Sequence, residues 1–300
     1  MANTDATTNG IISAVLTPFR EDGSVDMEAL GVQMKYLLDA GIDGFMVGGT
    51  TSEGAYLTAE ERKEIIRLAK DLSQGKRSLV VAALRPPTEQ VIAELDHLLP
   101  LQRDFVAALT PYYYAVSQAA VLEHYTRIAD HVSVPMILYN IPQNTHNRIE
   151  LDTILRLAEH PNIVGIKDSS GDFMSVSRGM IRTNDNRFAW IQGEDILDAP
   201  SLLYGAKGVI TGLGNVWIEP YVRMYRAVLE GDRETVITEQ KKINAVAEII
   251  AVAGGAVIPA IKMAVSILGR ANERMRITGD TLPAAVRPKI EAVLKKVGLV

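Results

Sequence analysis

A chain of 300 residues, 47% hydrophobic and 22% charged, has the composition of a globular protein able to bury a substantial core. Its net charge of -5 is spread over interspersed acids and bases, without the basic block that tracks a phosphate backbone, so nucleic acid is not an expected partner. The absence of cysteine removes disulfides, thiolate metal sites and cysteine nucleophiles together.

The opening MANTDATTNG is polar and lacks the apolar stretch of a secretory signal. No later stretch approaches the ~18 to 20 apolar residues of a spanning helix, so no membrane association and a cytoplasmic location are expected. Along the chain, short apolar runs at 11–19, 44–49, 78–84, 104–111, 135–140, 162–167, 188–193 and 207–212 alternate with amphipathic stretches. Runs this short and this apolar read as strands buried on both faces. Helix starts are marked at Thr58-Ala59-Glu60-Glu61, which has capping-box spacing, and at Asp168-Ser169-Ser170 before Phe173. Strand and helix alternating eight times predict an α/β fold, a (β/α)8 (TIM) barrel over about residues 10–230 that carries the active site. Residues 231–300 carry only helical periodicity, broken at Gly254-Gly255, Gly269 and Pro283. They predict a C-terminal helical subdomain packed rigidly on the barrel, since no flexible linker intervenes.

In such a barrel the chemistry sits at the carboxyl ends of the strands. The second run ends in Gly48-Gly49-Thr50-Thr51-Ser52-Glu53-Gly54, whose glycines admit a ligand to the backbone and whose amides and hydroxyls suit a small carboxylate. Taken alone it also reads as a turn that caps the next helix, and without a following lysine it is not a P-loop. The fifth run ends in Tyr139 and the sixth in Lys167. A lysine at a strand end is commonly a solvated charge, but in a barrel mouth burial penalises the ammonium and exposes a nucleophilic amine. With a reference pKa near ~10.4, only about one lysine in ~2500 is neutral at pH 7, and a fall of about three units, worth ~4 kcal/mol, leaves half of them neutral. Apolar residues such as Ile166 are expected to supply that environment. A neutral lysine attacks a ketone to give a protonated imine, an electron sink for making or breaking the adjacent carbon–carbon bond. Such chemistry needs a proton shuttle, and Tyr139 relayed by Thr50 or Thr51 is the candidate, against a reading of Tyr139 as a core aromatic.

The five histidines (His97, His124, His131, His146, His160) lack metal-ligand spacing and read as surface residues, so no metal is expected. The glycine-rich stretch from Gly208 to Gly214 is a weak phosphate-loop candidate. Tyr112, Tyr113 and Tyr114 close the fourth run, placed for one to reach a site and the others to pack at an interface.

Gly49-Thr50-Thr51-x-Glu53, TPYY (110–113), YNIP (139–142), GIKD (165–168) and Gln192-Gly193-x-Asp195, in this order and spacing, resemble the dihydrodipicolinate synthase and N-acetylneuraminate lyase family of Schiff-base aldolases. The similarity covers nearly the whole chain, including IPAIK at 258–262. The resemblance implies a pyruvate imine on Lys167 with no separate cofactor. It implies Tyr139 as proton carrier, Thr50 and Thr51 on the keto acid's carboxylate, and Ser169, Gly193 and Ile210 lining the pocket. It also implies a tyrosine equivalent to Tyr113 entering from a neighbouring subunit, in a homotetramer built as a dimer of dimers.

Two departures bear on substrate. Synthase members have an arginine in the loop after YN-x-P, where this chain places Asn144, and a carboxamide does not replace a bidentate guanidinium. Arg148 is out of register for that task. Arg85, in Leu84-Arg85-Pro86-Pro87, is a candidate for the missing charge or a surface residue. The expected activity is therefore that of a class I aldolase, splitting a 4-hydroxy-2-keto acid (a 2-keto-3-deoxy sugar acid or 4-hydroxy-2-oxoglutarate) into pyruvate and an aldehyde, or the reverse. The alternatives are condensation of pyruvate with aspartate semialdehyde by a 4-hydroxy-tetrahydrodipicolinate synthase, and dehydration of a keto-deoxy sugar acid. Outside the class stand a metal-dependent barrel lyase and a non-catalytic keto-acid-binding protein.

Overall fold

The computed structural model describes residues 8–101, 104–183, 187–277 and 279–300. Eight strands, β1 (Gly10–Ala14), β2 (Gly44–Val47), β3 (Ser78–Ala83), β4 (Phe105–Leu109), β5 (Met136–Asn140), β6 (Ile163–Asp168), β7 (Ala189–Gln192) and β8 (Gly208–Thr211), pair in parallel in chain order. β8 returns to β1 and closes the barrel. A closed parallel sheet wrapped by helices has no solvent face, which is why its strands are apolar nearly throughout. Alternate residues divide between two cores: Ile12, Ala14, Met46, Ile137, Ile191 and Ile210 fill the barrel, while Phe45, Val81, Val106, Leu138, Ile166 and Val209 pack outward.

All eight expected runs hold strands, most of them shorter than the run, with β6 shifted one residue onward to Asp168. The first overshoots: Val15 to Phe19 remain buried, but the ladder stops at Ala14 and Phe19 makes only an isolated antiparallel bridge to Val25. The Thr58 capping box forms as expected, with Thr58 Oγ1 accepting from the Glu61 amide at 3.2 Å and the Glu61 carboxylate accepting from the Thr58 amide at 2.8 Å. The Phe173–Arg182 helix is capped differently, by Asp172, which accepts from the Ser175 amide at 3.0 Å. Gly171, at φ +75°, turns the chain between strand and helix and so shifts the helix start. Asp168 stays in β6 and accepts from the Ser170 amide and hydroxyl and from Asn140 Nδ2.

Beyond β8 the described residues form no strand. The helices Glu219–Glu230, Arg233–Val252, Val257–Ile267 and Arg287–Lys296 follow, and their breaks fall at the expected glycines and proline. Val246, Ile249, Ile261 and Leu294 from these helices share one core with Ile11, Phe19 and Phe45. No single helix among the described residues is long and apolar enough to cross a membrane.

One histidine departs from the surface reading. His124 is buried on the Gln118–His131 helix. Its Nε2 lies 2.9 Å from the Leu109 carbonyl and its Nδ1 2.9 Å from Thr88 Oγ1. A carbonyl can only accept, so Nε2 carries the proton and Nδ1 accepts from the threonine. Burial pushes the imidazole down from 6.5 to about 4. Between those values the unfolded chain binds the proton that the folded one refuses, so stability is intact above pH 6.5 and falls as the pH drops toward 4. The loss over that window is about 3 kcal/mol at ~1.4 kcal/mol per unit. Denaturant titrations at pH 7, 5.5 and 4 are expected to show a smaller acid loss in His124→Gln than in the wild type; equal losses would place the acid sensitivity elsewhere.

Candidate active site

The strand register sets up the site. β5 and β6 pair so that Tyr139 lies directly opposite Lys167, one residue from the end of each strand. Both side chains point into the barrel and both are buried. Lys167 Nζ sits 4.3 Å above the centre of the Tyr139 ring and 3.8 Å from the Met46 thioether. No ion pair joins it to a carboxylate among the described residues; an aromatic face and a sulfur surround the amine. Thr50 Oγ1 lies 3.1 Å from Tyr139 Oη, the contact that the expected relay requires.

Above these groups opens a cavity of about 540 Å³. Thr50, Thr51, Tyr139, Asn144, Lys167, Ser169, Gly193 and Ile210 all line it, so every expected site residue but one comes together. Gly193 has a steric reason to be glycine: a Cβ there would meet Ser169 Oγ at 2.2 Å and Lys167 Cε at 2.9 Å. A larger residue would push the lysine out of its slot. Gly193 is fixed by its amide on the Asp168 carbonyl at 2.8 Å, and its own carbonyl accepts from Ser169 Oγ at 3.1 Å. Gly212 makes similar room for the Thr51 hydroxyl, 2.6 Å from where its Cβ would stand.

The exception is Tyr113, which is 79% exposed at φ +79° and stacks edge-on against Tyr114 outside the cavity of its own chain. Tyr112 is spent on the Leu84 carbonyl at 3.0 Å. The Gly208–Gly214 stretch contributes Ile210, Gly212 and Leu213 to the wall. Its turn amides at Gly214, Asn215 and Val216 are bonded to Thr211, Gly212 and Leu213, which leaves few donors for a phosphate. Ile166 faces outward into the helix layer and does not line the site; Ile141, Ile210, Leu213 and Ile258 supply the apolar surface instead. Arg85 pairs with Glu94 at 3.0 Å and Arg148 with Asp172 at 2.6 Å, both away from the cavity. Lys167 is thus the only cation among the described lining residues.

Several lining groups were not expected from sequence. Glu194 and Asp195 follow Gly193 in the wall, and burial pushes both carboxyls up. Asp195 is held by the hydroxyls of Thr211 and Tyr221, and the Lys167 charge pulls it back down. The helical tail closes the far side with Ile250, Ile258, Pro259, Ile261, Met275 and Asp280. The Gln192-Gly193-x-Asp195 motif was a signal for the first pair. The tail residues gave none beyond the IPAIK segment.

A model of the dihydrodipicolinate synthetase family matches residues 7–297. The chain belongs to this family. It is 31% identical to a 4-hydroxy-tetrahydrodipicolinate synthase of Methanospirillum hungatei, over 96% of this chain and 98% of the relative. The crystal structure of dihydrodipicolinate synthase from Aquifex aeolicus superposes with a TM-score of 0.90 at 31% identity, covering 97% and 98% of the two chains. A prophage protein of the same family from E. coli K12, solved in complex with pyruvate, superposes with a TM-score of 0.92 at 25% identity, covering 98% and 100%. Family members are class I, pyruvate-dependent lyases and synthases that work through a lysine Schiff base, and this enzyme is one of them.

Replacing Tyr139 by Phe keeps the ring beneath the Lys167 amine and deletes only the hydroxyl that meets Thr50. Pyruvate-dependent turnover is expected to fall ~10²- to 10⁴-fold, the usual worth of a positioned acid–base group, with the melting temperature little changed. Turnover within threefold of the wild type would assign the proton transfer to another group.

Proposed function

We propose that Lys167 is the lysine that carries pyruvate. The supporting observation is its buried amine, paired with no carboxylate among the described residues and set beside a tyrosine hydroxyl that is already bonded to Thr50. The amine adds to the C2 carbonyl, Tyr139 gives its proton to the departing hydroxyl, and loss of water leaves the iminium beside a Tyr139 phenolate. Tyr139 then takes a proton from C3, giving an enamine. The enamine carbon attacks the aldehyde, the new alkoxide receives a proton through Tyr139 and Thr50, and water releases the product and restores the lysine. Thr50 and Thr51 hold the carboxylate of pyruvate, while Ser169 and Gly193 bound the other side. The reverse sequence cleaves a 4-hydroxy-2-keto acid.

For the acceptor, the activity of the relatives supports condensation with aspartate semialdehyde better than the cleavage reading suggested by Asn144, and condensation is the first reading. A single observation favours the second, cleavage of a 2-keto-3-deoxy sugar acid. Beyond Lys167 the cavity offers the carboxamides of Gln143 and Asn144 and the carboxylates of Glu194, Asp195 and Asp280, and, among the described residues, no cation to clamp an acceptor carboxylate. Dehydration of such an acid would use the same imine. A homotetramer is part of the proposal. Its supports are the solvent-facing Tyr113 and Tyr114, and the exposed Met174, Ile181, Leu203 and Tyr204 on neighbouring helices.

Pyruvate consumption with aspartate semialdehyde, and pyruvate release from a 2-keto-3-deoxy sugar acid, are to be measured on one preparation. A kcat/KM at least 100-fold higher for the condensation is expected; the opposite ranking would make the enzyme a sugar-acid lyase.

A further inference from the structure

Lys262 is a buried cation outside the lysine–tyrosine pair. It lies on the Val257–Ile267 helix of the tail, fully buried, with its Nζ 4.4 Å from the centre of the Phe19 ring. Its ammonium bonds to the Glu53 carboxylate and, at 2.7 Å, to the Arg274 carbonyl. The second oxygen of Glu53 accepts from the Arg276 amide at 2.8 Å. Burial pulls the Lys262 ammonium down from its ordinary range, and Glu53 opposes that.

Glu53 belongs to the loop that presents Thr50 and Thr51. Its backbone is left-handed, at φ 52° and ψ 36°, a region that L-residues enter at a cost and keep only when their surroundings enforce it. The loop folds back on itself there. The Glu53 amide donates to the Thr50 carbonyl at 2.9 Å and the Gly54 amide to the Gly49 carbonyl at 3.0 Å. Two further fasteners, Ser52 Oγ on the Val15 carbonyl and Arg62 on the Gly54 carbonyl, come from the barrel layer. Lys262 and the Arg276 amide, both on Glu53, are the fasteners that come from the tail. A buried ion pair is weak evidence of added stability, because desolvation offsets most of the attraction, whereas it does fix one geometry.

We propose that Lys262 and Glu53 are positioning residues for pyruvate: their pairing holds the 49–54 turn so that Thr50 meets Tyr139 and both threonines line the cavity beside Lys167. The helix that walls the cavity with Ile258 and Ile261 thereby also sets the carboxylate-binding loop. The kinetic consequence rests on Lys167 carrying pyruvate; the effect on the loop does not.

The test is the double variant Glu53→Gln/Lys262→Met, which removes both charges together and leaves neither buried alone, with Glu53→Gln beside it in case the double variant does not fold. Hydrogen–deuterium exchange of the ligand-free protein is expected to speed up tenfold or more in peptides covering 48–54, with β3 and β8 unchanged. The KM for pyruvate is expected to rise at least tenfold while the KM for the aldehyde stays within twofold, a split that a uniform loss of folded enzyme would not produce. Wild-type exchange at 48–54 together with an unchanged pyruvate KM would overturn the proposal. The exchange comparison uses no substrate, so it judges the pair even in a protein that did not take pyruvate.

Discussion

In a closed parallel barrel each inward side chain is assigned its neighbours by the ladder, and here the ladder assigns Tyr139 to Lys167. The rest of the site depends on that pairing. It brings an amine and a phenol together at the mouth of the barrel without a loop having to order itself. It also leaves the space above them to be shaped by the next strands: Gly193 after β7 yields its side-chain volume to Lys167 and Ser169, and Gly212 after β8 yields to Thr51. Reactive groups on strands are held more rigidly than groups on loops, which suits a covalent intermediate that must be formed, deprotonated and reprotonated at fixed distances.

The helical tail completes what the barrel begins. Its apolar residues wall the cavity, and its buried lysine reaches into the threonine loop. Tail and barrel share one hydrophobic core. Burying apolar surface gives cohesion of roughly 25 cal/mol per Å² but no direction, so the orientation of the loop has to come from polar contacts such as those of Glu53, Ser52 and Arg62. The cavity is correspondingly uneven. Around Lys167 and Tyr139 it carries hydroxyls, while carboxamides and carboxylates line other parts of its wall, and burial holds the protons of Glu194 and Asp195 more tightly.

Much of this was legible in the sequence because burial on both faces writes an unbroken apolar run, and a reactive residue that interrupts such a run at its end stands out. Tyr139 and Lys167 stood out that way, and the glycine–threonine loop by its density of glycines and hydroxyls. What stayed hidden depends on contacts distant in sequence. Ile258 and Ile261 have the spacing of any apolar helix face, and only packing decides that they meet a ligand cavity. His124 reads as a helix surface residue until Thr88 and the Leu109 carbonyl, far along the chain, satisfy both ring nitrogens. Asp168 and Asp172 are equally good caps by composition, and the left-handed Gly171 between them settles which is used. Arg85 carried a charge that the sequence alone left free for a substrate, and Glu94 takes it.

The central claim is that Lys167 forms a covalent imine with pyruvate, and it is tested most directly by intact-protein mass after incubation with pyruvate and sodium borohydride, followed by peptide mapping. The account predicts one reduced pyruvyl adduct per chain, on the peptide containing Lys167, and none in Lys167→Ala. A folded wild-type protein that gains no mass, or an adduct mapped to another lysine, would contradict it.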